Sequence, residues 1–489
     1  MTSTTESNLV AERLRHVMAL DPQANLIEFD GEWWTWGRIA EMARAVATRL
    51  PSPGAPVGIL LRNTPQHVAA VLGVLLADCC VVTINPSLGG DRVRADLAAL
   101  DLDLLIGNGQ DLAEFTDRTF GLPRLALGPG GVAGGVSVAR STPRPGVAVL
   151  MLTSGTTGPP KRIELSAQVL LRTLAGAKHY ESSSETAPTL RRGVAIVNSP
   201  LVHLSGVFRT LQCVLDGRSF ALLPRFDVAL WADAVRRHRP KTASLVPTAL
   251  RMVLESDLTR DDLASLLSVT SGTAPLDPVD ADAFAERFGV PVLTSYAATE
   301  FGGGVAGWNL RDHQRYAPTK RGSVGRAHAG CGLRVVDEDG TDLGADVTGL
   351  LEVRPAQFGP DAAWMRTTDL ARIDADGFLW ILGRADQTII RGGFKVQPDT
   401  VRSALEQLSA VRAASVFGVP DDRLGEIPVA LVELRHGHQR SVEDLLADIA
   451  PRLARYEMPA LLQIVDVLPR TASGKVDLTA ARALISEES

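Results

Sequence analysis

Short runs of apolar, β-favouring residues alternate along this chain with segments whose apolar residues recur at helical spacing, and no other feature constrains the fold as tightly. The strand-like runs include VGILL (57–61), CVVTI (80–84), VAVLML (147–152), VAIV (194–197) and FALL (220–223), and HVAAVLGVLLA (67–77) represents the helical segments. A strand followed by a helix that carries the chain back leads to parallel pairing, and those helices bury both faces of the sheet. The expected class is therefore α/β, with a large N-terminal domain of helix-covered, mostly parallel sheets and subdomains over residues 1–383. At 489 residues the chain exceeds what one core usually holds, so a second unit is expected.

The pattern changes after Gly383. A turn and strand fall around 391–396, a helix presents Val401, Leu405 and Leu408 on one face, strands follow at 413–419 and 428–434, and a helix at 442–454 precedes the strand LLQIVDVL and then RTASGKVD. About a hundred residues arranged in this way make a small α+β domain of their own, at 387–489 beyond a joint at 384–386.

Composition narrows the partners. With 45% hydrophobic and 22% charged residues the chain can bury large cores, and a net charge of -6 gives no electrostatic reason to bind nucleic acid or an anionic membrane. Cys79, Cys80, Cys213 and Cys331 have no metal-ligand spacing and read as buried, reduced thiols. The opening MTSTTESNLVAERL lacks a basic segment followed by an apolar run, and the apolar stretch 68–84 is interrupted by Asp78, so a cytoplasmic location without stable membrane insertion is expected.

The most informative segment for chemistry is VAVLMLTSGTTGPPK (147–161), an apolar strand running into a Ser/Thr/Gly loop closed by two prolines and Lys161. Glycines let backbone amides turn toward an anion, the hydroxyls add donors and the lysine adds a full charge, so Thr153, Ser154, Gly155, Thr156, Thr157, Gly158 and Lys161 suit nucleotide phosphates. The loop is not a Walker A motif, because Lys161 follows Pro160 and precedes Arg162.

TSGTTGPPK resembles the phosphate loop of the adenylate-forming superfamily, which includes acyl-CoA synthetases, peptide-synthetase adenylation domains and firefly-type luciferases, and further segments extend the resemblance over nearly the whole chain. SPLVHLSG (199–206) is similar to the stretch whose histidine, His203 here, lies beside the acyl pocket. SGTAPL (271–276) resembles the adenine-side loop, with Gly272, Thr273, Ala274 and Pro275. YAATE (296–300) matches a motif in which Tyr296 and Ala297 lie near adenine, Thr299 meets phosphate and Glu300 holds Mg2+. RTTDL (366–370) places Asp369 at the ribose hydroxyls. LGRADQTIIRGG (382–393) resembles the hinge, with Ile381 and Arg384 at the nucleotide, Asp386 as pivot and Gly392 and Gly393 beside the path of a thiol arm. PRTASGK (469–475) ends on Lys475, which the resemblance makes the adenylation lysine.

The resemblance implies ATP-dependent activation of a carboxylic acid to an acyl-adenylate, then transfer to coenzyme A after the small, mobile C-terminal domain has rotated. The chemistry requires such residues, because one anion approaches another and pyrophosphate leaves with added charge. Mg2+ on Glu300, the amide-lined loop and Lys475 would supply the compensating charge.

Several positions depart from the usual pattern. Arg162 and Thr368 stand where glycines are common, and PDTVRSAL (398–405) lacks the typical glutamates. His203, Val207, Phe208, Thr294, Ser295, Gly302 and Gly303 line the acyl pocket by their place in the motifs, and the glycines after Glu300 suggest room for a bulky, cyclic or aromatic acid. The expected partners are that acid, ATP and coenzyme A. Passage of the acyl-adenylate to a carrier-protein thiol in trans or to a separate transferase stays open, as do a homodimer and a non-catalytic nucleotide-binding protein on the same fold.

Overall fold

The computed structural model describes residues 8–50, 52–116, 121–136, 140–152, 161–176, 189–470 and 476–486. The chain divides into two compact units, one of Met1–Thr273, Asp282–Gly304 and Ala356–Asp361, the other of Ala274–Ala281, Val305–Pro355 and Ala362–Ser489.

The first unit is built on a seven-stranded sheet in the spatial order Gly131–Gly134, Arg124–Gly128, Leu104–Asn108, Pro56–Leu60, Cys80–Ile84, Val147–Leu152, Arg162–Ser166. Its five inner strands pair in parallel and its two edge strands antiparallel. Every residue of Pro56–Leu60 and Cys80–Ile84 is buried, as expected where helices cover both faces. Between those two strands runs the helix Pro65–Leu76. Thr64 caps it by accepting from the His67 N–H, and Pro65 occupies the first turn, where a missing N–H costs nothing. The helix ends at Asp78, which takes φ 57° while the Cys79 N–H donates to Val74 O at 3.0 Å. The charge that interrupts the apolar stretch is thus a helix stop between two core elements. Cys79 and Cys80 follow directly, buried, with both thiols pushed up to about 12 by desolvation, and none of the four cysteines is disulfide-bonded.

A second sheet has the order Arg191–Val197, Arg218–Leu222, Asn25–Phe29, Glu32–Thr35, its hairpin turning on Asp30 and Gly31 with φ 51° and 81°. A third set of parallel strands, Thr242–Ser244, Ser268–Ser271 and Val292–Ala298, completes the layered part of this unit.

In the second unit antiparallel pairing dominates, and Gly425–Leu434 with Leu461–Val465 is a parallel pair within it. Gly332–Val336, Thr348–Arg354, Met365–Ile373 and Leu379–Arg384 form an antiparallel meander. The connections are too short for crossover helices, so the expectation of helix-covered parallel strands does not extend to this stretch. The C-terminal elements form an α+β arrangement, as expected. Ile389–Arg391, Phe394–Val396, Val411–Asp421, Gly425–Leu434 and Leu461–Val465 make one sheet, with Pro398–Glu406 and Val442–Ile449 packed through Val401, Leu405, Leu445 and Ile449. The helix expected over 442–454 is α-helical over Val442–Ile449 and passes into a short 3-10 turn at Ala450–Arg452, because Pro451 cannot supply the next N–H.

Two outcomes follow from the core. A Cβ on Gly73 would sit 2.5 Å from Ala43 O and 2.7 Å from Val46 Cβ in the neighbouring helix Trp36–Ala47. Gly73→Ala should therefore destabilise the protein by about 1–3 kcal/mol in denaturant melts through overpacking, despite the better helix propensity of alanine. Unchanged or increased stability would contradict this packing.

His67 is 1% exposed, its Nδ1 2.8 Å from Thr64 Oγ1, and burial lowers its pKa to about 4. An unfolded chain protonates His67 near pH 6.5 whereas the native state does so only near 4, so its contribution to stability is present above 6.5 and is lost as pH falls between them. His67→Asn should remove roughly 3 kcal/mol of that pH dependence, measured as the difference between the two proteins' pH–stability curves.

Candidate functional site

The strand Val147–Leu152 pairs with Cys80–Ile84 on one side and with Arg162–Ser166 on the other, and Leu152 faces Arg162 where the antiparallel pair ends. The loop residues Thr153, Ser154, Gly155, Thr156, Thr157 and Gly158 lie outside the described residues, whereas Lys161 is described and exposed. The Arg162 guanidinium does not point to solvent. Nη1 donates to Thr83 O at 3.0 Å and Nη2 to Asp96 Oδ2 at 2.6 Å.

A second group of expected residues gathers at the carboxyl ends of two neighbouring parallel strands, the place where open α/β sheets bind ligands. Ser271 is in register with Thr294, so Gly272 follows beside Ser295, and a Cβ on Gly272 would come within 2.8 Å of Ser295 Oγ. Thr273 takes φ 71°. A β-branched residue in the left-handed region is strained, and such strain gathers at functional sites. Tyr296 continues the strand, its ring 5.8 Å from that of Phe301, followed by exposed Ala297, half-buried Thr299 and exposed Glu300. Among the described residues no cluster of three or more His, Cys, Asp or Glu could hold a metal. A lone, exposed carboxylate at Glu300 still fits Mg2+, which takes most of its oxygens from phosphate and water.

His203 precedes the helix Leu204–Leu215, half-buried, and its carbonyl accepts from Gly206 N at 3.0 Å and Val207 N at 3.1 Å. Gly206 is obligatory in this turn because a Cβ there would lie 2.1 Å from Pro200 O. Val207 is buried and Phe208 half-buried on the same helix. Asn63, which no sequence motif marked, holds this turn in place. Its Nδ2 donates to Ser199 O and Leu223 O, each at 3.0 Å, and its Oδ1 accepts from Leu201 N at 2.8 Å. The only signal in the sequence was a polar residue where an apolar strand ends.

Gly302 and Gly303 require a correction. Both are buried, with φ 69° and 148°, and Cβ atoms on them would lie 2.6 Å from Val169 Cγ1 and 2.7 Å from Thr173 Cγ2. The volume vacated by the missing side chains is filled by the helix Ala167–Gly176, whose Thr173 hydroxyl donates to Gly302 O at 2.9 Å. These glycines permit close packing and do not by themselves open room for a bulky acid. Gln357, also unmarked in the sequence, secures the same turn by donating to Phe301 O at 2.6 Å.

In the second unit Ala274 and Pro275 are exposed. Asp369 and Arg384 are cross-strand partners, and Ile381 lies opposite Ala371. Arg384 donates through Nε to Asp386 Oδ1 at 2.9 Å and through Nη2 to Asp386 Oδ2 at 2.7 Å and Thr368 Oγ1 at 2.6 Å. The hydroxyl of Thr368, at a position where glycine is usual, thus adds a contact to the arginine. Gly392 and Gly393 form the turn between Arg391 and Phe394 with φ 57° and 87°, a conformation natural to paired glycines. Lys475 lies outside the described residues. Arg470 and Val476 on its flanks pair with each other, and buried Glu433 accepts from Leu468 N at 3.0 Å.

Comparison with known proteins agrees with this arrangement. Residues 14–359 match the family model for the AMP-binding enzyme, and 401–475 match that for the AMP-binding enzyme C-terminal domain. Indoleacetate–CoA ligase from Aromatoleum aromaticum is 28% identical over 97% of this chain and 97% of that protein. 2-Succinylbenzoate–CoA ligase from Bacillus pumilus is 28% identical over 95% of this chain and 96% of its own length. Among solved structures, ATP-bound MatB from Rhodopseudomonas palustris superimposes with a TM-score of 0.84 at 25% identity, covering 98% of each chain. The amide bond synthetase McbA from Marinactinospora thermotolerans gives 0.81 at 26%, covering 97% of this chain and 99% of its own. With the family model spanning well over half of the sequence, the chain belongs to the AMP-binding enzyme family.

Proposed function

We propose that the protein is an AMP-forming acid–thiol ligase that activates a carboxylic acid with ATP and passes the acyl group to coenzyme A. In the first step a carboxylate oxygen attacks the α-phosphorus of ATP and pyrophosphate leaves. In the second a thiol sulfur attacks the acyl carbonyl, the thiol proton is released and AMP leaves. The observation that carries the reading is the convergence of Gly272, strained Thr273, Ser295 and Tyr296 at the ends of two parallel strands, on a chain that aligns with CoA ligases over nearly its full length.

In this reading Tyr296 and Ala297 take adenine with Gly272, Ala274 and Pro275, Asp369 takes the ribose hydroxyls, and Lys161 and Thr299 take phosphate. Mg2+ on Glu300 neutralises charge on the phosphates, and Lys475 stabilises the adenylation transition state. The hinge lies at 384–386 between residues 1–383 and 387–489, with Gly392 and Gly393 admitting the thiol arm. His203, Val207, Phe208, Thr294 and Ser295 contact the acid. The ring-bearing acids in the names of the indoleacetate and 2-succinylbenzoate ligases favour an aromatic substrate. The likeness to an amide bond synthetase favours a second reading of the final step, in which an amine replaces the thiol.

Incubation with ATP, Mg2+ and a panel of aromatic, fatty and polycyclic acids should release pyrophosphate. Mass spectrometry should find a CoA thioester when CoA is added; an amide formed with supplied amines, and no thioester, would favour the second reading. If ATP binds but no acid releases pyrophosphate, the enzyme reading gives way to a nucleotide-binding role. Lys475→Ala and Glu300→Gln should each lower the adenylation rate by roughly 10²–10³. Lys475→Ala should leave conversion of a preformed acyl-adenylate to thioester largely intact, and equal loss of both steps would remove Lys475 from the role assigned to it.

A further inference from the structure

We propose that Arg162 is a positioning residue for Lys161, fixing the place from which that lysine reaches the nucleotide. The inference rests on the acid-activating reading above and assigns work to a residue at which the family usually has glycine.

Leu152 and Arg162 face each other at the last pair of the antiparallel strands, so Lys161 directly precedes a residue held in the sheet. What fixes that residue is its side chain. It crosses the strand Val147–Leu152 to reach Thr83 O on the strand Cys80–Ile84, and it meets the Asp96 carboxylate on the helix Gly90–Ala98 at 2.6 Å. The side chains of Arg162 and Asp96 are only 14% and 16% exposed, so water screens their attraction weakly.

Three elements are thus tied to the residue that follows Lys161: the strand Arg162 begins, the buried strand Cys80–Ile84 and a covering helix. A planar guanidinium can serve a carbonyl and a carboxylate together in fixed directions, whereas an ammonium on a flexible stem holds one such geometry poorly. A glycine there would give Lys161 a backbone anchored by strand pairing alone and would leave Asp96 shielded from water without its cation. Because misplacing a group by about 1 Å can cost on the order of 10² in rate, the anchor is expected to register in how ATP is used.

The test is steady-state pyrophosphate release with ATP and acid varied separately. The proteins are the wild type, Arg162→Gly, Arg162→Lys, Asp96→Asn, Lys161→Ala, and Lys161→Ala combined with Arg162→Gly or Asp96→Asn. Arg162→Gly and Asp96→Asn should raise the KM for ATP by roughly tenfold, less than the 10² a full misplacement can cost, while the KM for the acid stays near the wild-type value. Arg162→Lys should recover part of the loss. In the Lys161→Ala background neither further substitution should add appreciably, since the group being positioned is already gone. Asp96→Asn keeps the shape of the side chain and carries the test if Arg162→Gly does not fold. An unchanged KM for ATP with only a lower melting temperature would overturn the inference, as would a parallel rise in both KM values or a full additional loss on top of Lys161→Ala. Absence of pyrophosphate release from the wild type with every acid would instead overturn the acid-activating reading, and this inference with it.

Discussion

Parallel pairing of fully buried strands is the constraint on which the first unit depends. Pro56–Leu60 and Cys80–Ile84 expose no residue, so helices must cover both faces and polar groups can gather only where strands end. Parallel pairing in the strands Ser268–Ser271 and Val292–Ala298 brings Gly272, Thr273, Ser295 and Tyr296 together toward the carboxyl ends of those strands. Sharp stops at Asp78 and at the Pro200–Gly206 turn keep the intervening segments short, with left-handed backbone at the first and a missing Cβ at the second.

Two cations near candidate site residues are held in the same way. Arg384 is held by Asp386 and Thr368 beside Asp369, and Arg162 is held by Asp96 beside Lys161. In both cases a cation is oriented by a carboxylate and by an oxygen that a glycine-bearing chain would lack or would leave unused. Two of the departures from the usual family pattern, Arg162 and Thr368, are therefore built into hydrogen-bond networks next to residues of the candidate site. Arg162 supplies the anchoring cation and Thr368 an acceptor for one.

Much of this was legible in the sequence because it follows from local rules. The apolar runs located Pro56–Leu60, Cys80–Ile84 and Val147–Leu152 to within a residue, though not the inner strands Leu104–Asn108 and Arg124–Gly128, and Gly392 and Gly393 fell in a turn that left-handed backbone makes easily. Motif order identified the family. What was not legible depended on contacts far apart in the chain. Asn63 acts on Ser199 and Leu223, and Gln357 acts on Phe301, through single hydrogen bonds that leave no periodic trace. The glycines at 302 and 303 read as open space because a sequence shows the missing side chain and not the helix that packs against it. The antiparallel meander of the second unit was hidden for a related reason, since apolar strands look alike until the length of their connections is examined.

The central claim is that an acid oxygen becomes bonded to the α-phosphorus of ATP, and isotope transfer tests it most directly. With the acid labelled in its carboxylate by a heavy oxygen isotope, and with ATP and CoA unlabelled, mass spectrometry of the products follows the oxygen. The account predicts AMP carrying one labelled oxygen, thioester retaining the other, and unlabelled pyrophosphate. Unlabelled AMP, or label in a phosphate released with ADP, would contradict it.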